Sequence, residues 1–190
     1  MKSIIIVTIL LIFGTGLYAQ DNTPKNVGDK ISKQDQKNDK EALKTQEFNT
    51  TKALLDSRMF VLEADYMIDK SGKRITADQS LNFIMVDSTH AMLQNGKTAG
   101  QGANGVGGVS LSGNITSWKV ESNEKKKSFS LQMNVLTDNG FLTVFMNIST
   151  GHNTTASVSG NQWLEMYRYE GRLVPLEESS VYKGRTLFRN

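Results

Sequence analysis

Between Ser128 and Val135 the chain reads SFSLQMNV and changes character at every position. Phe129, Leu131, Met133 and Val135 are apolar, whereas Ser128, Ser130, Gln132 and Asn134 are polar. Side chains of an extended strand point alternately to the two faces of a sheet, while a helix would scatter these residues around its axis. The segment therefore forms a strand with one face in a core and the other in water. Phe60, Leu62, Ala64, Tyr66 and Ile68 repeat the pattern, alternating with residues that include Glu63 and Asp65, which reads as a solvated sheet face.

More runs of this kind follow, separated by turn residues. LNFIMV (81–86) and HAMLQ (90–94) are joined across Asp87-Ser88-Thr89 as a hairpin, and Asn95-Gly96 offers positive φ angles at little steric cost. Lys70-Ser71-Gly72-Lys73 and Asp138-Asn139-Gly140 supply further turns. GVSLSG, NITSWKVE, SFSLQMNVL, FLTVFMNIS, TTASVSG and QWLEMYRYEGRLVPL complete the set. About eight or nine short strands with tight connections predict a mainly β, antiparallel meander, closed as a barrel or folded as a two-sheet sandwich. Ahead of it, Asn38 or Asp39 is placed to cap one helix carrying Ala42, Leu43, Thr51, Leu54 and Leu55 and ending near Ser57.

The N-terminus reads as an address. Lys2 precedes an apolar run from Ile4 to Phe13 that is too short to span a bilayer, and Gly14-Thr15-Gly16-Leu17-Tyr18-Ala19 follows with small residues. This is the layout of a secretory signal peptide over residues 1–19, cut after Ala19, with no transmembrane segment in the mature chain. Residues 20–40 are too polar to bury much apolar area and read as a flexible tether, leaving 41–190 as a single β-rich domain with its lead-in helix. The chain has no cysteine, hence neither disulfides nor the lipid-bearing cysteine of a bacterial lipoprotein. A cysteine-free exported domain fits a bacterial periplasmic or secreted protein better than a secreted animal one. A net charge of +3 argues against a broad nucleic-acid surface.

Gly100, Gly102 and Gly105 spell a literal G-x-G-x-x-G. A dinucleotide-binding loop of that form opens a helix whose N-terminus faces the pyrophosphate. Here strand sequence follows, from Val109-Ser110-Leu111-Ser112 through Ile115 to Val120, and no Lys-Ser or Lys-Thr ends a P-loop. The glycines, with Gly107 and Gly108, read as a flexible loop running into a strand, and no nucleotide cofactor is expected.

Asn104-Gly105-Val106-Gly107-Gly108-Val109, then Gly113-Asn114-Ile115-Thr116, Lys119-Val120, NEKKKSFSLQMNV and Tyr169-Glu170-Gly171-Arg172-Leu173-Val174-Pro175-Leu176 resemble a family of secreted bacterial proteins, domain of unknown function 4251. The resemblance runs from about Thr45 to Leu176 and includes LLDSRMFVLEADYM. It implies a β-rich exported domain and brings no substrate, cofactor or catalytic residue. Where the family pattern has a Leu-Pro-Tyr-like segment before the glycine loop, this chain has Leu93-Gln94-Asn95.

Chemistry-bearing constellations are sparse. His90 and His152 sit in no spacing that marks a metal site or a base and nucleophile pair, and no G-x-S-x-G is present. Lys125-Lys126-Lys127 reads as a solvated hairpin turn. Asp87-Ser88-Thr89 resembles the acceptor motif of a bacterial O-glycosylation system. Trp118, Trp163, Tyr167 and Tyr169 are the candidate ligand-lining residues, since aromatic rings offer flat apolar area with a polar handle. The expectation is a non-catalytic binding domain for a small apolar or amphipathic ligand, or for a cell-envelope component, without metal or cofactor. The alternatives are an envelope hydrolase using His90 or His152 and a purely structural interaction module.

Overall fold

The structure, a computed structural model, describes residues 25–69, 71–97, 105–150, 153–160, 168–181 and 183. The signal-peptide segment lies outside them. Of two compact units, the larger begins at Asn38 and holds all the strands among the described residues. Helix α1 spans Lys25–Ser57. It therefore starts well before the expected cap at Asn38 or Asp39, and residues 25–40 are helical where the sequence suggests a tether. The physical reason lies in composition: this stretch has no proline, and its lysines and glutamines are good helix formers despite their polarity.

Within the larger unit α1 buries Phe48 and Leu55, with Thr51, Leu54 and Arg58 half-buried on the same side. This 3- and 4-residue spacing is one helical face. Leu43, whose spacing from Thr51, Leu54 and Leu55 fits the same helical face, is exposed. The helix stops where Arg58 adopts φ 54° and its N–H donates to the Leu54 carbonyl at 3.1 Å.

Among the described residues nine strands follow: β1 (Met59–Ile68), β2 (Arg74–Thr76), β3 (Phe83–Asp87), β4 (His90–Asn95), β5 (Val109–Asn123), β6 (Ser128–Thr137), β7 (Gly140–Ser149), β8 (Thr154–Gly160) and β9 (Arg168–Pro175). All pairings are antiparallel. Because β9 also pairs with β1, eight strands close into a barrel, and β2 is an extra strand on β1. The choice between barrel and sandwich is thus resolved by the β1–β9 ladder, which runs from Phe60↔Pro175 to Ile68↔Arg168 with a bulge between Ala64 and Tyr66. Two runs that read as separate strands, GVSLSG and NITSWKVE, form the single strand β5, bent by a bulge between Ile115 and Ser117.

The barrel interior holds the main core, including Phe60, Leu62, Ile84, Val86, Phe129, Leu131, Met133, Val144, Met146 and Tyr169, with Phe48 and Leu55 contributed by α1. A second cluster lies on the outer side of β1, β3 and β4, where Val61, Phe83, Met85 and Met92 pack with Val174, Leu176 and Val181. That second layer explains why LNFIMV is apolar without alternation: a strand covered on both faces needs no polar side.

Candidate functional site

Inward positions of β8 are Thr154, Ala156 and Val158, all buried. Thr154 places a hydroxyl where its neighbours place only carbon. It is 1% exposed, and its Oγ1 has no hydrogen-bond partner among the described residues. Its Cα partners are Ile148 on β7 and Gly171 on β9, and the latter contributes no side chain beside it.

Thr154 borders a cleft of about 250 Å³ between α1 and the β7–β9 wall. Leu43, Leu54, Ile148 and Leu173 make its apolar surface. Gln46, Thr50, Thr51 and Ser149 add an amide and hydroxyls, and Glu47 is the one carboxylate among the described residues of the lining. Leu43, 58% exposed, stands on the helix as an apolar side chain left out of the core. The cleft therefore offers apolar contact with a few polar groups inside it, the usual composition of a small-molecule site.

A polar chain crosses the outside of the barrel seam. Glu63, 7% exposed, accepts a 2.8 Å hydrogen bond from the Ser179 hydroxyl and faces Arg172 at 3.5 Å. Arg172 in turn donates to Gln79 at 3.4 Å, and the Gln79 amide donates to Asp65. Glu63 is thus buried and paired rather than solvated as its alternation suggested. The cause is the segment after β9, which folds over this face and brings Ser179 onto the carboxylate.

Of the four aromatic candidates, Trp118 and Tyr169 lie away from the cleft. Trp118 is half-buried against the core, tilted on Phe60 with centroids 6.2 Å apart and with the Arg58 guanidinium 4.9 Å above its ring. Tyr169 is buried in the core. Trp163 and Tyr167 lie outside the described residues, as do His152, Gly100 and Gly102. His90 is exposed on the β3–β4 hairpin opposite Asp87, its Nδ1 3.3 Å from Thr89 Oγ1. Ser88 and Thr89 of the same turn are exposed. Gly105 and Gly107 take positive φ angles of 78° and 64°, and Gly108 leads directly into β5, so strand follows the glycines. Gln94, in the stretch that departs from the family pattern, is fully buried and accepts a 3.0 Å hydrogen bond from Ser110. Among the described residues there is no cluster of three metal-ligating side chains. No helix among them is long and apolar enough to cross a membrane.

Sequence reasoning missed Thr154, because its role depends on how α1 seats against β7 to β9. The available signal was a threonine at an inward position of TTASVSG, in phase with Ala156 and Val158.

A family model described as "Domain of unknown function (DUF4251)" matches residues 42–173. The chain is similar to a solved structure, that of a DUF4251 family protein from Bacteroides eggerthii, with TM-score 0.58 and 23% identity over 70% of this chain and 90% of that one. This second likeness concerns the fold. No curated protein matches the chain.

Proposed function

The chain belongs to the DUF4251 family, and from that premise we propose that it is an exported, non-catalytic binding domain that takes a small amphipathic ligand in the cleft beside α1. The observation that carries this reading is the Thr154 hydroxyl, buried with no hydrogen-bond partner among the described residues at the edge of an accessible cleft. A buried polar group left unsatisfied costs about 1–3 kcal/mol, and valine would fill the same space without that cost. A polar ligand group reaching Oγ1 removes the penalty, while Leu43, Leu54 and Leu173 receive the apolar part. Among the described residues of the lining Glu47 is the one titratable side chain, placed to meet a polar or cationic group of the ligand. The signal-peptide layout of residues 1–19 supports export to the periplasm or the exterior.

Native mass spectrometry of the protein recovered from its own host tests the proposal. The expected result is a bound small molecule that is lost in Thr154→Val, while the ligand-free variant melts at the same temperature as wild type or higher. Absence of any bound mass, or a Thr154→Val protein that retains the ligand unchanged, would overturn it.

A further inference from the structure

A second surface has a different chemistry. Facing outward from β6, β7 and β8 are Ser130, Gln132 and Asn134, then Thr143, Phe145 and Asn147, then Thr155, Ser157 and Ser159. None of these is charged, in a chain that is 22% Asp, Glu, Lys and Arg. Of the charges at the margins of this face, two pairs neutralise each other, and Arg168 of β9 stands exposed opposite Ser157. Lys119 and Glu121 on β5 lie 2.7 Å apart, and Arg74 meets Glu170 of β9 at 2.9 Å.

Two large rings stand on this neutral ground. Phe145 is 45% exposed, flanked by Gln132 on one side and Ser157 on the other. Phe141, 61% exposed, projects from the same face of β7 opposite Leu136, itself 43% exposed. Around Phe145 the polar side chains are ordered by one another: Thr143 donates to Asn134 at 3.1 Å and Ser130 donates to Asn147 at 3.2 Å. In both cases the asparagine accepts through its carbonyl oxygen, which leaves its NH2 group for a partner outside the chain.

We propose that this β6–β8 face binds a neutral glycan. A pyranose ring has an apolar face of C–H groups that packs on an aromatic ring, and hydroxyls at its edge that both donate and accept. Exposed phenylalanine surrounded by amides and hydroxyls matches both halves of that chemistry. Anionic lipid, nucleic acid and acidic polymers call for Lys and Arg, which this face lacks. Four residues of extended strand separate the rings by about 14 Å, more than one sugar spans, so the ligand is an oligosaccharide lying along β7.

The test is native affinity electrophoresis of the full chain through gels containing neutral polysaccharides (a β-glucan, an α-glucan, a mannan, a galactan and a xylan) with polygalacturonate as the anionic control. At least one neutral polymer should retard the protein equally at low and high salt. Phe145→Ala should weaken that retardation about tenfold or more, as loss of a central aromatic contact does, with Phe141→Ala and Gln132→Ala weakening it less. Phe145 is exposed, so these variants should keep the wild-type circular dichroism. The proposal is overturned if no neutral polymer retards the chain, if Phe145→Ala is retarded like wild type, or if retardation vanishes at high salt. Self-association that depends on Phe145, seen by sedimentation in place of glycan binding, would make a second copy the occupant and overturn it equally.

Discussion

The ring of Phe48 on α1 stacks on the ring of Phe129 on β6, with centroids 4.5 Å and planes 14° apart. Lys127, in the turn just before β6, sets its ammonium 5.3 Å from the same Phe48 ring. Together with Leu55, which is 1% exposed, this stack makes α1 part of the barrel core and fixes one wall of the cleft. Phe48→Ala should lower folding stability by about 3–5 kcal/mol, the usual cost of emptying a buried phenylalanine site. Guanidinium unfolding followed by circular dichroism measures this. A loss below about 1 kcal/mol would mean that the helix is not seated by its aromatic contact.

Closure of the barrel rests on Gly171. A Cβ at this position would collide with the Glu63 carbonyl oxygen of β1, next to the bulge between Ala64 and Tyr66. Backbone cannot yield as a flexible side-chain end can. Gly171→Ala should therefore open the β1–β9 seam and expose the core, read as ANS binding and a melting temperature lower by at least about 10 °C, the size of a several-kcal/mol loss. Wild-type melting in this variant would contradict the close approach.

How much of this could be read from the chain depends on which interactions are local. The alternation of β6 is a property of consecutive residues and was legible, as were the β3–β4 hairpin and the end of α1 at Ser57. Strand β2 was not, because Arg74, Ile75 and Thr76 are exposed and become a strand only by pairing with Tyr66, Met67 and Ile68. The split assigned within β5 failed because Gly113-Asn114 reads as a turn, yet Gly113 lies tight against the Leu136 backbone and continues the strand. Thr154 and Phe145 are the hardest cases. The sequence shows each residue's parity on its strand, but whether a helix covers it or water does is decided by packing between distant segments.

At the β1–β2 turn, Asp69 Oδ1 accepts hydrogen bonds from the Ser71 hydroxyl at 2.6 Å, the Ser71 amide at 2.8 Å and the Lys73 amide at 2.9 Å. The Ser71 hydroxyl above all, then the Lys73 amide, holds the carboxyl below the ordinary aspartate range. A pKa lowered on folding contributes stability above the unfolded value, and that contribution disappears as pH falls through the folded value. The Asp69 carboxyl carbon should titrate by NMR with a midpoint below that of a free aspartate, moving upward in Ser71→Ala. An ordinary midpoint in the wild-type chain would contradict the turn geometry.

The glycine segment should have no nucleotide affinity, since Gly105, Gly107 and Gly108 lead into β5 and no helix N-terminus follows them. Calorimetric titration with ATP, NAD and FAD should give no binding heat. Micromolar binding abolished by Gly105→Ala would refute this.

The most direct test of the cleft is a crystal structure of the protein purified from its native host without denaturation. The expected result is density for a small molecule between α1 and the β7–β9 wall, with a polar atom within hydrogen-bond distance of Thr154 Oγ1 and carbon against Leu54 and Leu173. A cleft holding only ordered water, with Thr154 Oγ1 bonded to that water, would contradict it.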